Sequence, residues 1–158
     1  MSNLRPRERP LDGAGRRVAV IASRYNGEVV DRLVEGALRA LESRGVERSA
    51  IRLEQVPGAW EIPLALEAIA RRGDVDLAIA LGAVIRGDTS HYEFVAGECS
   101  RGVAEISLRH LLPIGFGVLT CETLAQALDR AGGASGNKGE EAALAALEMA
   151  DALDRLGS

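Results

Sequence analysis

Apolar residues recur along the chain in two alternating arrangements, short unbroken runs and longer stretches with a helical repeat. Short unbroken runs bounded by turn residues predict strands, whereas apolar positions that share one helical face predict helices. Strands are predicted at residues 17–23, 51–56, 76–81 and 114–119. Helices are predicted at residues 28–44, 60–72, 90–111, 123–131 and 138–156. Strand and helix therefore alternate through most of the chain.

This alternation predicts the fold class. Strands without strict apolar–polar alternation are typical of parallel sheets that are buried on both faces. Strand–helix alternation with right-handed crossovers then gives a three-layer α/β/α sandwich around a central, mainly parallel four-stranded sheet, with flavodoxin-like topology. Ligands of such sheets bind outside the carboxyl ends of the strands. This rule selects four loops, at residues 23–27, 57–61, 82–90 and 120–123.

Length and composition limit the remaining possibilities. A chain of 158 residues favours one domain. We expect residues 1–15, which are rich in Arg, Pro and Gly, to form a flexible N-terminal arm, and residues 16–158 to form the single domain. The formal net charge of -4 argues against a general nucleic-acid binder. No apolar run is long enough for a membrane span or a signal peptide, so a cytoplasmic location is expected.

The two cysteines, Cys99 and Cys121, do not have the spacing of a zinc site or of a disulfide framework. We expect both to be reduced, buried small residues, as free cysteines commonly are. A nucleophilic Cys121 is the alternative, although no base lies beside it in the sequence. No cluster of metal-ligand residues is evident, so we expect no metal.

The first two selected loops carry an aromatic residue and a carboxylate. Tyr25 lies in the sequence Ser-Arg-Tyr-Asn-Gly, where Asn-Gly indicates a turn. It is either an exposed turn residue or a stacking surface for a flat heterocycle. Glu61 lies in residues 56–63 (VPGAWEIP), either as a first-turn carboxylate that favours the helix dipole or as a ligand contact. The small Ala59 would let backbone N–H groups approach a ligand closely.

The third loop, residues 82–93 (GAVIRGDTSHYE), combines glycines, hydroxyl groups and a histidine just before a helix. Thr89 or Ser90 is the candidate N-cap. The N-terminus of a helix presents free N–H groups and partial positive charge, and so attracts phosphate. His91 falls in the first turn of this helix, and imidazole titrates near neutrality, which suits acid–base catalysis. The other histidine, His110, is interpreted as structural.

Residues 126–139 (QALDRAGGASGNKG) carry two cations. A P-loop is excluded because Asn137 and Gly139 flank Lys138, where that motif requires Gly and Ser or Thr. Arg130 is either a two-pronged phosphate ligand or a last-turn cation that complements the helix dipole. Lys138 is either a solvent-exposed first-turn lysine or a phosphate contact. The alanine-rich final helix fits a core face or a subunit contact.

Five motifs in this order resemble the lumazine synthases. The family carries an Arg-aromatic-Asn loop, a VPGAxE[IL]P loop, a GxVI[RK]GxTxH[YF] loop, an FG[VIL][LV]T segment and a QAxxRAG…GNKGxEAA segment. Here they stand at residues 24–26, 56–63, 82–92, 116–120 and 126–143. The spacing matches over residues 17–152, on the loops already selected.

The resemblance implies a reaction and a set of roles. The family condenses 5-amino-6-(D-ribitylamino)uracil with 3,4-dihydroxy-2-butanone 4-phosphate to give 6,7-dimethyl-8-ribityllumazine, phosphate and water, without a cofactor. His91 matches the proton-transferring histidine. The residues that match phosphate-binding positions are Asp88, Thr89, Arg130 and Lys138. Those that match pyrimidine- and ribityl-binding positions are Tyr25, Ala59, Trp60, Glu61, Ala83, Val84, Ile85 and Phe116, the last contributed by a neighbouring subunit.

Three positions depart from the family pattern. Tyr25 replaces the commoner Phe or Trp, which preserves stacking but adds a hydroxyl that needs a partner. Asp88 puts an acid beside the expected phosphate, which is unfavourable unless its side chain points away and only its N–H contacts the ligand. Cys121 stands where Thr or Ser is common.

The resemblance also implies a homopentamer, in many members assembled as twelve pentamers into an icosahedral shell, with riboflavin synthase as a further candidate partner.

Three alternative functions were compared with this one. A non-catalytic carrier of lumazine or flavin is disfavoured by the presence of both His91 and Arg130. A phospho-receiver domain needs acids at the end of the first strand, and residues 23–26 have none. A riboflavin synthase that dismutates lumazine requires product analysis.

Overall fold

The computed structural model describes residue 7 and residues 9–157, and the rest of the predicted N-terminal arm lies outside these residues. The elements in chain order are β1 (Val18–Ser23), α1 (Gly27–Ser43), β2 (Ile51–Val56), α2 (Ile62–Arg72), β3 (Leu77–Ile85), α3 (His91–His110), β4 (Ile114–Cys121), α4 (Leu124–Asp129), β5 (Ala131–Gly133), β6 (Gly136–Asn137) and α5 (Lys138–Arg155). None of the helices in this described part is long and apolar enough to cross a membrane.

The four long strands form one parallel sheet in the order β2-β1-β3-β4. Alternate residues of the central strand β1 face opposite layers. Val18 and Val20 pack into a core with α1 and α5, whereas Ala19 and Ile21 pack into a second core with α2 and α3. The predicted three-layer α/β/α sandwich with a parallel four-stranded sheet is therefore confirmed.

Strand β2 departs from the prediction that the strands are buried on both faces. Its four middle residues, Arg52, Leu53, Glu54 and Gln55, are exposed. This strand is an edge strand, because only β1 pairs with it in the described part of the chain. Charged side chains are a common protection of such edges. The predicted strand at residues 51–56 is confirmed, but its expected burial on both faces was wrong, because its middle residues are polar and lie at the edge of the sheet.

Strands β3 and β4 extend further toward their carboxyl ends than predicted. Residues 82–85 and 120–121 were assigned to loops, but they continue the parallel pairing from Gly82 opposite Val118 to Ile85 opposite Cys121. The third strand was predicted to end at Leu81, directly before Gly82. A Cβ at Gly82 would lie only 2.8 Å from Ser23 Oγ, so close approach between strands explains this glycine. The backbone of residues 83–85 is consequently held in the sheet.

The segment between α4 and α5 also differs from the prediction. The predicted helix over 123–131 ends at Asp129, and β5 and β6 form a short antiparallel hairpin. Gly132 and Gly136 have φ angles of 102° and 82°, which other residues rarely adopt. Similarly, the predicted helix over 60–72 starts with a short 3₁₀ turn, Ala59–Glu61, before α2.

Asn137 joins the hairpin to the helical layer. Its Oδ1 accepts hydrogen bonds from the N–H groups of Gly139 at 2.8 Å and Glu140 at 3.1 Å, which caps α5. Its Nδ2 donates to the carbonyl of Arg32 in α1 at 3.0 Å. The alanine-rich face of α5 packs on the core, where Ala143 and Ala146 are buried. The asparagine of the GNKG motif therefore has a structural role.

Asp76 connects the beginnings of two neighbouring strands. Its Oδ2 accepts from the N–H of Arg17 at 2.8 Å, and its Oδ1 lies 3.2 Å from the Arg17 guanidinium. Burial raises the pKa of the Asp76 carboxyl, but the hydrogen bonds from Arg17 outweigh it, so this pKa is lowered overall. The carboxylate form is thus stabilised by folding.

We expect Asp76→Asn to reduce the free energy of unfolding by about 1 kcal/mol at pH 7, the scale of a charged hydrogen bond to a half-exposed arginine. A carboxyl with a lowered pKa in the folded state stabilises above its unfolded pKa of about 4, and this stabilisation is lost as the pH falls through the folded value. Urea unfolding of both proteins at neutral and acid pH measures it. A difference that stays constant over this range would contradict the assignment.

Candidate functional site

Three segments converge at the carboxyl edge of the sheet. The N–H of Arg24 donates to the carbonyl of Val56 at 2.9 Å, and the N–H of Tyr25 donates to the carbonyl of Pro57 at 3.2 Å. Asn26 Nδ2 donates to the carbonyl of Ala83 at 2.9 Å. The loops after β1 and β2 and the end of β3 are therefore tied together, as the rule for parallel sheets predicted.

Tyr25 lies at the surface of this convergence. Its side chain is 71% exposed. A Cβ at Gly58 would lie 2.9 Å from Tyr25 Cδ2, so the ring rests against the backbone of that glycine. Because Gly58 has an extended conformation with φ of −148°, its lack of a side chain serves space and not backbone freedom. The result is an aromatic ring that is supported on one side and open to solvent.

Glu61 closes the turn that follows β2. Its Oε2 accepts a hydrogen bond from the N–H of Gly58 at 3.0 Å, which fixes the 3₁₀ turn Ala59–Glu61. Ala59 is buried, whereas Trp60 is 55% exposed. Glu61 therefore lies in the first turn, as one of the two interpretations has it, and one of its carboxylate oxygens is bonded to the backbone of that turn. A contact between Glu61 and a ligand remains a prediction.

Asn26 is a residue of this edge that the sequence analysis did not single out. It has a left-handed backbone with φ of 57°, which asparagine tolerates better than most residues. Its amide holds the carbonyl of Ala83, a buried residue, while Val84 and Ile85 beyond it are half-buried. The sequence showed this residue only in the Asn-Gly turn and in the Arg-aromatic-Asn motif, and neither pattern predicts the long-range bond.

The turn after β3, residues 86–90, and the start of α3 are exposed to solvent. His91 is the first residue of α3, as predicted, and its side chain is exposed. Its N–H lies 3.4 Å from Thr89 Oγ1, so Thr89 supplies the weak cap, whereas Ser90 makes no side-chain cap bond. Asp88 is exposed as well. An open helix start of this kind offers N–H groups to an anion.

Arg86 is a second residue that the sequence analysis did not single out. Its guanidinium pairs with the carboxylates of Glu93 in α3 and Glu122 after β4, and it lies over the ring of Tyr92 at 4.3 Å from the centroid. The hydrogen bond from Arg86 lowers the pKa of the Glu93 carboxyl. Glu122 is 36 positions from Arg86, so no local pattern reveals this contact.

Arg130 lies at the same edge of the sheet, next to β4. Its guanidinium donates to the carbonyl of Gln126 at 3.0 Å. Burial raises the pKa of the Cys121 thiol, and the nearby positive charge of Arg130 partly opposes this rise. The carbonyl of Cys121 in turn accepts from the N–H of Arg86 at 2.9 Å. Cys121 therefore lies near both Arg130 and the turn before His91.

Lys138 has a partner within its own helix. Its Nζ lies 2.6 Å from Glu141 Oε2, and its N–H donates to the carbonyl of Arg130 at 2.8 Å. The interpretation as a freely solvated lysine is therefore wrong, because the ammonium is half-buried and ion-paired. Its contact with phosphate remains a prediction.

Phe116 is the one predicted site residue that the fold places away from the others. It lies opposite Ala80 in the middle of β4, five positions before Cys121, which is about 16 Å along a strand. It is 43% exposed on an edge strand. It therefore does not reach the carboxyl edge of its own chain, and its contact with a ligand of a neighbouring subunit remains a prediction.

The two cysteines and the possible metal-binding side chains were the remaining candidates for chemistry in the sequence. Cys99 and Cys121 are both free and buried, as predicted. Burial raises the pKa of the Cys99 thiol to about 11, which makes it a poor nucleophile near neutrality. Within the described residues, no group of three or more His, Cys, Asp or Glu side chains is arranged to hold a metal ion.

Comparison with known proteins identifies the family. The profile of the family described as 6,7-dimethyl-8-ribityllumazine synthase matches residues 15–154. A protein of that name from Desulfovibrio desulfuricans is 46% identical over 156 residues, which cover 99% of this chain and 100% of the relative. Another of the same name from Halorhodospira halophila is 49% identical over 140 residues, which cover 89% of this chain and 90% of the relative. Since these matches span nearly the whole chain, the chain belongs to the 6,7-dimethyl-8-ribityllumazine synthase family.

Proposed function

We propose that the carboxyl edge of the sheet is the site at which this chain condenses 5-amino-6-(D-ribitylamino)uracil with 3,4-dihydroxy-2-butanone 4-phosphate. The products are 6,7-dimethyl-8-ribityllumazine, phosphate and water. One observation carries the proposal: the supported ring of Tyr25, the end of β3, the open start of α3 at His91 and the Arg130 segment all lie at this edge. A ring-stacking surface and an anion site are thereby combined.

The pyrimidine binds on the side of Tyr25. Its flat ring stacks on the exposed phenol ring, an arrangement worth about 0.5–1.5 kcal/mol beyond area burial for aromatic pairs. The backbone groups of Ala83, Val84 and Ile85 read the polar edge of the pyrimidine. The turn of Ala59, Trp60 and Glu61 holds the ribityl chain, because its buried small residue brings the backbone close to the ligand.

The phosphate binds at the start of α3. The N–H groups near Asp88 and Thr89 face the anion, together with the positive end of the helix. Arg130 supplies the cationic fork. Lys138, the first residue of α5, is connected to it by the hydrogen bond from its N–H to the carbonyl of Arg130. Asp88 is exposed. In this proposal its side chain stays in solvent and only its N–H contacts the phosphate.

His91 transfers the protons of the reaction. The primary amine of the pyrimidine attacks the ketone to form an imine with loss of water. A proton is then removed from the hydroxyl-bearing carbon next to the imine, and phosphate leaves to give an enol that tautomerises to a ketone. The second amine attacks this ketone and closes the ring with loss of another water. Each step moves protons between nitrogen, carbon and oxygen, which imidazole does well near neutrality. Amine–ketone condensation and elimination need no electron transfer, so we propose a cofactor-independent mechanism.

The active unit in this proposal is a cytoplasmic homopentamer. Phe116 supports it, because this exposed aromatic residue on an edge strand is too far from its own site and would complete that of a neighbour. Twelve pentamers could also associate into a shell, and such a shell could enclose riboflavin synthase. The mass of the assembly distinguishes these alternatives from a single pentamer. Native mass spectrometry of the purified protein is expected to give five subunits or a multiple of five.

The activity is tested by mixing the two substrates and following the fluorescence of the lumazine product together with phosphate release. We expect lumazine and phosphate to be formed in equal amounts. A protein that binds lumazine but produces neither signal would be a carrier. Formation of riboflavin from lumazine alone would instead indicate a dismutating riboflavin synthase.

Arg130→Ala is expected to weaken the use of the phosphorylated substrate by about 1.5–3 kcal/mol, the scale of a hydrogen bond between charged groups. This is roughly a 10- to 150-fold rise in KM for that substrate, with a much smaller change for the pyrimidine. Arg155→Ala, which removes an exposed arginine at the end of α5, is the matched control. Unchanged KM and kcat for the phosphorylated substrate would refute the assignment of Arg130.

A further inference from the structure

We propose that Arg86 is a positioning residue that connects the start of α3, where His91 lies, to the segment that carries Arg130. The inference rests on the proposed function, since it assigns to these two residues a common substrate. Arg86 itself does not contact the substrate in this proposal. It acts by fixing the positions of His91 and Arg130 relative to the substrate that they share.

The contacts of Arg86 reach three parts of the chain. Its guanidinium pairs with Glu93, two residues after His91 in α3, and lies over the ring of Tyr92 between them. Its Nε lies 3.0 Å and 2.9 Å from the two carboxylate oxygens of Glu122. Its backbone N–H donates to the carbonyl of Cys121 at 2.9 Å. One side chain therefore joins the first turn of α3 to the loop after β4.

The hydrogen bonds continue from that loop to Arg130. The N–H of Glu122 donates to Gln126 Oε1 at 2.8 Å, and the guanidinium of Arg130 donates to the carbonyl of Gln126 at 3.0 Å. Gln126 is itself held in the first turn of α4, where its N–H donates to Thr123 Oγ1 at 3.2 Å. A continuous path thus leads from Arg86 through Glu122 and Gln126 to Arg130.

The charges in this cluster explain why Arg86 is a connector and not a phosphate ligand. Its single positive charge is already paired with two carboxylates, those of Glu93 and Glu122. A phosphate approaching Arg86 would meet these two negative charges first. Arg130, whose guanidinium is bonded to a neutral carbonyl, keeps its charge available for an anion.

The geometry also requires arginine at this position. A planar guanidinium can pair with two carboxylates along different edges while its face stacks on an aromatic ring. The ammonium group of lysine is a point charge and cannot satisfy the three contacts together. Exposed ion pairs contribute little stability individually, so losing this cluster should affect orientation more than folding. Small errors in the position of binding groups reduce rates strongly.

Arg86→Lys tests the inference. We expect a roughly 3- to 30-fold rise in KM for the phosphorylated substrate, the size of a coupling between residues of one network, with little change in KM for the pyrimidine or in Tm. Arg101→Lys is the matched control, because Arg101 pairs with two carboxylates, Glu98 and Glu105, on the exposed face of α3. It should leave both KM values unchanged.

A double-mutant cycle separates positioning from a general structural effect. If Arg86 acts through Arg130, then Arg86→Lys added to Arg130→Ala should cause no further rise in KM for the phosphorylated substrate. Glu122→Gln, which removes the next member of the path, should reproduce the effect of Arg86→Lys. Additive effects of Arg86→Lys and Arg130→Ala, or an Arg86→Lys enzyme that behaves like the Arg101→Lys control, would overturn the inference. Absence of lumazine formation by the wild-type protein would instead remove the proposed function itself.

Discussion

His91→Ala is expected to slow turnover by roughly 10²–10⁴, the usual contribution of a general acid–base group. The reason is positional as well as chemical. His91 is the exposed first residue of α3, at the edge where the ring of Tyr25 and the end of β3 also lie. Without the imidazole, proton removal from carbon and protonation of the leaving groups would depend on water.

Steady-state rates with both substrates saturating measure this effect. Tm should change little, because the side chain is exposed and the weak cap from Thr89 is made to the backbone N–H, which alanine retains. His110→Ala is the matched control. That histidine lies at the other end of α3 with its Nε2 3.0 Å from Glu67 Oε2, and its loss should affect stability and not turnover. A His91→Ala enzyme with near-normal rates would remove this residue from the mechanism.

Gly139→Ala is expected to reduce the free energy of unfolding by about 3 kcal/mol or more, at the upper end of overpacking effects. A Cβ at this position would overlap the carbonyl oxygen of Leu33 and lie 2.7 Å from its carbonyl carbon. Because these are backbone atoms of α1, no side-chain rotation relieves the contact. The helix α5 would have to move away from α1 and loosen the Asn137 cap at its own start.

Chemical denaturation and the yield of folded protein measure this prediction. Gly97→Ala is the matched control, since Gly97 is also helical but exposed, with nothing within 4 Å of its added Cβ. There the loss of chain flexibility should be neutral or stabilise by about 0.4–1 kcal/mol. A Gly139→Ala protein as stable as the Gly97→Ala protein would show that the two helices are not packed as closely as described.

The order of strands and helices could be predicted because buried strands and amphipathic helices leave periodic signals in the chain. Those signals did not predict which strand is exposed to solvent or where strand pairing ends. The sequence of Ile51–Val56 predicted a strand, but it did not show that this strand lies at the edge of the sheet, where its middle residues are exposed. The last part of β3 is strand because β4 pairs with it as far as Ile85, whereas the prediction ended this strand at Leu81.

The candidate site followed the same division. Tyr25, His91 and Arg130 could be selected because their loops follow strands, and because five motifs resemble one family. Asn26 and Arg86 lie in two of these motifs, but their roles could not be predicted, since their contacts with Ala83 and Glu122 join residues 57 and 36 positions apart. Lys138 was interpreted either as a solvent-exposed lysine or as a phosphate contact, and its ion pair with Glu141 was not predicted.

The sequence by itself determined the fold class, the family and the edge of the sheet at which the chemistry is expected. These depend on local periodicity and on short motifs, which act over a few residues. Only the tertiary structure decided which loops touch, where β3 and β4 end, and that Arg86 and Arg130 both lie near Cys121. Such contacts arise from the pairing of strands distant in the chain, and no spacing of residue types encodes them.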